Sequence, residues 1–374
     1  MNADERLCLM AFARMMGYNY VAARQLLDEA GSATAIYEHR NHPDDIFQNP
    51  STRLRRLMGS WDEALQRSLE EQEFALRHGI SIITIGSSDY PQRLMACDDA
   101  PLVLYYLGTD VLNRRKVVSI VGTRHMTDYG RDLIEHFVGD LSVMVPDLLV
   151  VSGLAYGVDI CAHRAALAHG LSTVGVLAHG LDDIYPSLHR DTARTMTGHG
   201  GLLTEHMTRT QPDKKNFVKR NRIVAGMADA TVLIESAARG GGLITCGMAN
   251  DYGRMTAAFP GPVNAEFSRG CNHLIRQGAQ LLTSAEDFVE TMGWDVAAKA
   301  DEARAEGIER TLFPQLDDSE KTVVRLLKTH GDLQVGQLAA LCGNTVAKLN
   351  GLLFNLEMKG VLRQKAGGLF HLLT

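Results

Sequence analysis

From Leu7 to about Leu69 apolar residues recur at helical spacing, with Gly17, Gly31, Pro43 and Pro50 as punctuation. This pattern predicts a small helical domain over residues 1–75. At Lys116 the pattern changes, and continuous apolar runs begin to alternate with helical stretches of about ten residues or more. The runs Val117–Val121, Leu148–Val151, Thr173–Leu177, Thr231–Ile234 and Thr256–Phe259 read as strands, and Ile80–Ile85 as an outer strand joining the helical part to the sheet. Runs apolar at every position suit parallel strands covered on both faces, so residues 76–294 are expected to form a doubly wound α/β domain. Residues 295–316 are charged and Ala-rich and read as a linker. Residues 317–374 repeat a pattern of three short helices and a terminal hairpin, which is winged-helix organisation.

Gly-rich turns follow nearly every predicted strand: Gly122-Thr123-Arg124, Ser152–Gly157, His179-Gly180, Gly240–Gly242 and Pro260–Pro262. Those turns mark the carboxyl ends of the strands, where doubly wound sheets place ligands. Arg124 puts a cation at a strand-to-helix turn, beside the free N–H groups of a helix start, which is an anion site suited to phosphate. Pairing of Arg124 with an internal carboxylate is the competing reading.

The 374 residues, 45% of them apolar and 22% charged, describe an ordinary globular chain of two or three domains. No apolar stretch approaches the roughly 18 residues a membrane span needs. An acidic start (Asp4-Glu5) and six scattered cysteines without a C-x-x-C pair predict a cytoplasmic protein with no metal site. The net charge of −6 requires any nucleic-acid partner to be held by a local basic patch. Such a patch exists between Arg209 and Arg222, where Lys214, Lys215, Lys219 and Arg220 add to the two arginines against Asp213 alone, a net of +5. Phe217 lies inside it, and an aromatic among cations suits single strands: bases stack on the ring while cations follow the phosphates. A packing role for Phe217 stands beside that reading.

Other chemistry is sparse. The chain has no Walker-type loop, and the turn after Val121 lacks the dinucleotide glycine spacing. Glu205 and Glu235 end predicted strands, and Asp159 and His163 stand four apart on a helix, but no placed nucleophile accompanies them. No catalytic residue, cofactor or metal is therefore assigned. The turn Gly17-Tyr18-Asn19 has two readings, a phosphate-binding helix-hairpin-helix turn and ordinary helical packing. Seven basic and five acidic residues from Asp317 onward offer little charge for duplex reading.

Taken in order, Ile120–Arg124, Ser152–Asp159, Ala162–Leu167, Gly180–Asp182 with Tyr185-Pro186, Phe217 with Arg220–Ile223, Leu243–Thr245, and Gly270 with Asn272–Ile275 resemble the DNA-processing protein A (Smf) family over about residues 80–290. The resemblance implies an extended Rossmann-like sheet and a non-enzymatic single-stranded DNA-binding protein. Such a protein protects incoming DNA and loads the RecA recombinase in natural transformation, and it dimerises through the sheet domain. It also implies a DNA pocket formed by Arg124, Ser152, Gly153, Lys214, Phe217, Lys219, Arg220 and Arg222, with Gly122, Gly157, Gly240 and Gly241 allowing close backbone approach.

Three departures from the family pattern stand out. Tyr156 replaces an arginine, Gly240–Gly242 replaces a Ser-Gly-Ser pattern, and Asp182-Asp183 is acidic where a basic contact would help. The alternative is a Rossmann-like phosphoribohydrolase acting on nucleotides. Its motif carries the acid after the glycines, whereas Glu235 here precedes them.

Overall fold

The computed structural model describes residues 4–294, 316–343, 346–359, 361–365 and 369–373. It divides into two compact units, Met1–Trp294 and Asp295–Thr374.

The first unit opens with α1 (Glu5–Met16), α2 (Tyr20–Ala30), α3 (Ala33–Glu38), α4 (Thr52–Met58) and α5 (Trp61–His78). Asp4 starts α1 by accepting the Arg6 N–H, and Ser32 and Ser51 do the same for α3 and α4, each supplying an acceptor to an otherwise unpaired helix-start donor. Their buried faces meet around Phe12, Ile36 and Trp61, with the Phe12 and Trp61 rings stacked at 6.3 Å.

The sheet follows as β1 (Ser81–Thr84), α6 (Gln92–Met95), β2 (Val103–Gly108), β3 (Val117–Val121), α7 (Asp128–Met144), β4 (Leu149–Ser152), α8 (Val158–Ala168) and β5 (Ser172–Val176). Then come α9 (Arg190–Met196), β6 (Gly200–Thr204), α10 (Lys214–Gly226), β7 (Ala230–Leu233), α11 (Gly241–Asp251), β8 (Met255–Ala258), α12 (Arg269–Arg276), β9 (Gln280–Leu281) and α13 (Ala285–Thr291). The strands order as β1-β2-β6-β5-β4-β3-β7-β8-β9, parallel from β6 to β9 and antiparallel at β1, β2 and β6. This is a mostly parallel, doubly wound Rossmann-like sheet.

Alternation along the strands builds two cores. Val118, Ile120, Val150 and Val232 face α7, α8 and α13, whereas Val121, Val151, Val176 and Leu233 face α10, α11 and α12. Strands β2 and β6 were not among the predicted apolar runs, although Glu205 was read as ending a strand. β6 opens on two glycines, and Gly201 packs on the Tyr106 ring of β2, so the apolar signal shrinks to Leu202-Leu203.

His163 on α8 is fully buried. Its Nδ1 lies 2.6 Å from the Thr173 hydroxyl, which itself donates to the Val150 carbonyl, so Nδ1 carries the proton and Nε2 is left without a partner. Burial, reinforced by Arg220 and His189, pushes this imidazole down to about 3. Because the folded value lies below the unfolded one, the neutral ring supports the fold above about pH 6.5, and that support is lost as pH falls from there toward 3. Unfolding free energy is expected to drop by about 1 kcal/mol between pH 6.5 and 5.5 through this group. Urea titrations of the wild type and His163→Gln check it: equal pH slopes for the two would remove His163 as the cause.

In the second unit, helices Asp318–His330, Val335–Cys342 and Val346–Met358 pack with a three-stranded sheet of Leu333–Gln334, Leu369–Leu372 and Leu362–Lys365 around Val323, Leu338, Leu353 and Phe370. The hairpin gains a third short strand from Leu333–Gln334, giving a winged helix. Glu320, buried, closes its helix-start capping box and also pairs with Lys359 at 2.7 Å. The predicted linker, apart from Leu316, lies outside the described residues.

Candidate nucleic-acid interface

The chain runs from β3 to β4 to β5 on one side of β3, then returns to place β7 on the other side. At such a reversal the loops after neighbouring strands diverge and leave a crevice. A cavity of about 850 Å³ fills it, walled by Gly122–His125 after β3, Gly153 and Ala155 after β4, Ser236–Gly242 after β7, and α10. Lys214, Phe217, Arg220 and Val224 line it because a spacing of three or four residues keeps them on one helix face.

Phe217 is the centre of a cation–aromatic cluster. The Arg124 guanidinium stands 5.2 Å from its ring centroid, that of Arg220 6.0 Å, and the Tyr185 ring 5.8 Å. Arg124 is exposed, and no carboxylate pairs with it among the described residues. Lys214 and Arg239 add two exposed cations at the cavity rim. Arg220 is different, being only 3% exposed, with Nη1 donating to the Val176 carbonyl and Nε unpartnered. Burial pulls its guanidinium down to about 10, with Asp159 opposing and Arg124 reinforcing that shift. Burial also raises the Asp159 carboxyl at the cavity floor, while Arg220 and Arg124 draw it back.

Two glycines are required by this geometry. Gly157 has φ +76°, and a Cβ there would overlap the Thr123 carbonyl and the Arg124 backbone, so the loop after β4 presses directly on the Arg124 turn. A Cβ on Gly153 would occupy the Arg220 guanidinium position. Gly122 and Gly240 also line the cavity. A Cβ at Gly241 would meet nothing nearer than Asn221 Nδ2 at 3.9 Å, so protein packing alone leaves room for a side chain there.

The structure does not bring every expected residue to this crevice. Arg222 lies two residues from Arg220 and so points to the other side of α10, where it pairs with Glu205 at 2.5 Å and stacks over Tyr20 at 3.7 Å. Lys219 lies on that side too, with Nζ 3.1 Å above the Tyr18 ring centroid. Ser152 is fully buried and donates to the Ile120 carbonyl at 2.6 Å. The expected phosphate-holding patch is therefore split by the helix into two faces. The Gly17–Asn19 turn spends its contacts on protein, Tyr18 donating to Asn216 of α10.

Among the departures, Tyr156 is exposed and edge-packs on His189 at 5.0 Å. Asp182 accepts the Arg209 N–H, whereas Asp183 lines the cavity. Of the candidate acids, Asp159 lines the cavity, whereas Glu205 and Glu235 are engaged elsewhere. Glu235 is buried and accepts both the N–H and the hydroxyl of Thr127, at 2.8 and 2.7 Å, anchoring the start of α7. Arg239 and Tyr185 were absent from the predicted site. Arg239 carries the same signal as Arg124, a cation in a Gly-rich turn after a strand.

The sheet domain that carries this crevice matches a known family. Residues 81–293 fit the model of DNA recombination-mediator protein A, and residues 309–368 fit the DprA winged helix domain. The chain belongs to the DNA recombination-mediator protein A family. Its relatives in that family include the putative DNA processing protein DprA of Mycobacterium tuberculosis, 35% identical over 318 residues that cover 81% of this chain and 80% of the relative. Protein Smf of Escherichia coli is 31% identical over 295 residues, covering 78% and 77%. Among solved structures, DNA processing protein A of Streptococcus pneumoniae superposes with a TM-score of 0.62 at 29% identity, over 78% of this chain and 98% of that one. The family member from Helicobacter pylori, studied for its single-stranded DNA binding mode, gives 0.52 at 27% identity over 58% and 96%.

Proposed function

We propose that this protein binds single-stranded DNA in the crevice at the ends of β3, β4 and β7, and passes the strand to the RecA recombinase during uptake of DNA. The observation that carries the reading is the cluster of Arg124 and Arg220 about Phe217. Cations and an aromatic face occur together there without a positioned nucleophile, which serves a phosphate backbone and a stacked base better than a bond-breaking reaction. Arg124, Lys214, Arg220 and Arg239 would meet phosphates, Gly153 and Gly157 keep the loops close, and Phe217 with Tyr185 offers stacking surface. A cytoplasmic homodimer joined through the sheet domain fits the same reading.

The Helicobacter pylori relative's single-stranded DNA binding supports the ligand class. Glu235 speaks against the hydrolase reading, because its carboxylate is committed to Thr127.

Anisotropy of labelled single-stranded and duplex oligonucleotides across a salt series tests the proposal. With four cations facing the cavity, single-strand affinity should fall with a log–log slope of about −3. Absence of binding at low salt, or preference for duplex, would overturn it.

A further inference from the structure

On the other side of α10 lies a second cavity, of about 260 Å³, lined by the α1–α2 turn, by Leu102, Val103 and Tyr105 and by the segment after β6. It is smaller than the roughly 300–1,000 Å³ of sites for drug-sized ligands, so it suits one ring system. Tyr18, Tyr20 and Tyr105 line it with aromatic rings, Met10 and Met207 add polarizable thioethers, and Glu205 contributes a carboxylate. Each of its oxygens takes one protein donor, from Tyr20 and from Arg222, and keeps a lone pair for an amino or imino N–H of a base. His206, also lining the cavity, has a buried Nε2 without a hydrogen-bond partner.

The two cavities are separated by one helix. Lys219, on the second cavity's side of that helix, holds its ammonium over the Tyr18 ring, and Lys215 is exposed on the same helix. A backbone leaving the crevice would meet these cations before it reached the cavity mouth at Arg14, Gly17 and Tyr18.

We propose that this cavity receives a single nucleobase, flipped out of the same strand whose backbone occupies the crevice. The inference rests on the single-stranded DNA reading and adds a second contact point on the N-terminal helical layer. That layer then measures strand length: only an oligonucleotide long enough to cross α10 reaches both sites.

The test uses the full chain and oligonucleotides carrying one 5-iodouracil at successive positions, irradiated in complex and mapped by mass spectrometry. One position should crosslink to Tyr18, Tyr20 or Tyr105, and a different one to Phe217 or Tyr185. Ala13→Leu, which adds volume to the cavity wall, should remove the first crosslink and keep the second. It should also weaken long oligonucleotides about tenfold, the value of one stacked base, while leaving the shortest bound length unchanged. Crosslinks confined to Phe217 and Tyr185 in the unaltered protein overturn the inference without any reliance on a variant, and leave the crevice reading standing. Unchanged long-strand affinity in a folded Ala13→Leu protein overturns it as well. Failure of the unaltered protein to bind any oligonucleotide sinks both readings together.

Discussion

Arg124→Glu is expected to weaken single-stranded oligonucleotide binding by about 100-fold at low salt, with the thermal unfolding midpoint unchanged. The guanidinium stands exposed over Phe217 with no carboxylate partner among the described residues, so its removal leaves no buried charge behind. What is lost is a charge-assisted hydrogen bond to phosphate, worth about 1.5–3 kcal/mol, and the introduced carboxylate adds repulsion. Anisotropy and calorimetric melting decide it: affinity within threefold of wild type would take Arg124 out of the interface.

Glu205→Ala should lower the unfolding free energy by about 3–5 kcal/mol. The Arg222 and Glu205 side chains are 4% and 6% exposed, so truncation strands a guanidinium away from water. Burial alone would depress the Arg222 value, and Glu205, Tyr20 and Asp99 more than offset it, holding the group above its ordinary range. Tyr20 would lose its acceptor at the same time, and Arg222 would keep the Asp99 carbonyl at 2.8 Å. Replacing both members of the pair by leucine should recover most of the loss, since the penalty comes from the unpaired charge and not from a missing attraction. A loss below about 1 kcal/mol in urea unfolding of Glu205→Ala would show that water or Asp99 compensates the arginine.

The parallel core was readable because Val117–Val121, Thr173–Leu177 and Thr231–Ile234 are apolar at every position, a pattern that only two-sided cover explains. Strand β6 was not, since its first two positions are glycines whose role is to admit the Tyr106 ring. Arg124 and Phe217 were legible from local sequence, the first from its turn and the second from its charged surroundings. Arg222 was misread because a charge count along the chain ignores the helical turn: positions 220 and 222 fall on opposite sides of α10. Nothing near Arg222 in sequence announces Glu205 or Tyr20, which arrive from a strand end and from a separate helix.

The core around Phe12 and Trp61 does not end at the last helix. It runs on through Ile80 into Leu102, Val103 and Tyr105, residues of the sheet itself and of the turn before it. A polypeptide started at residue 76 would therefore present Val103 and Tyr105 to water along an antiparallel margin. For anyone cutting this chain into fragments, the compact unit that keeps both this shared core and the crevice runs from the first helix to Trp294.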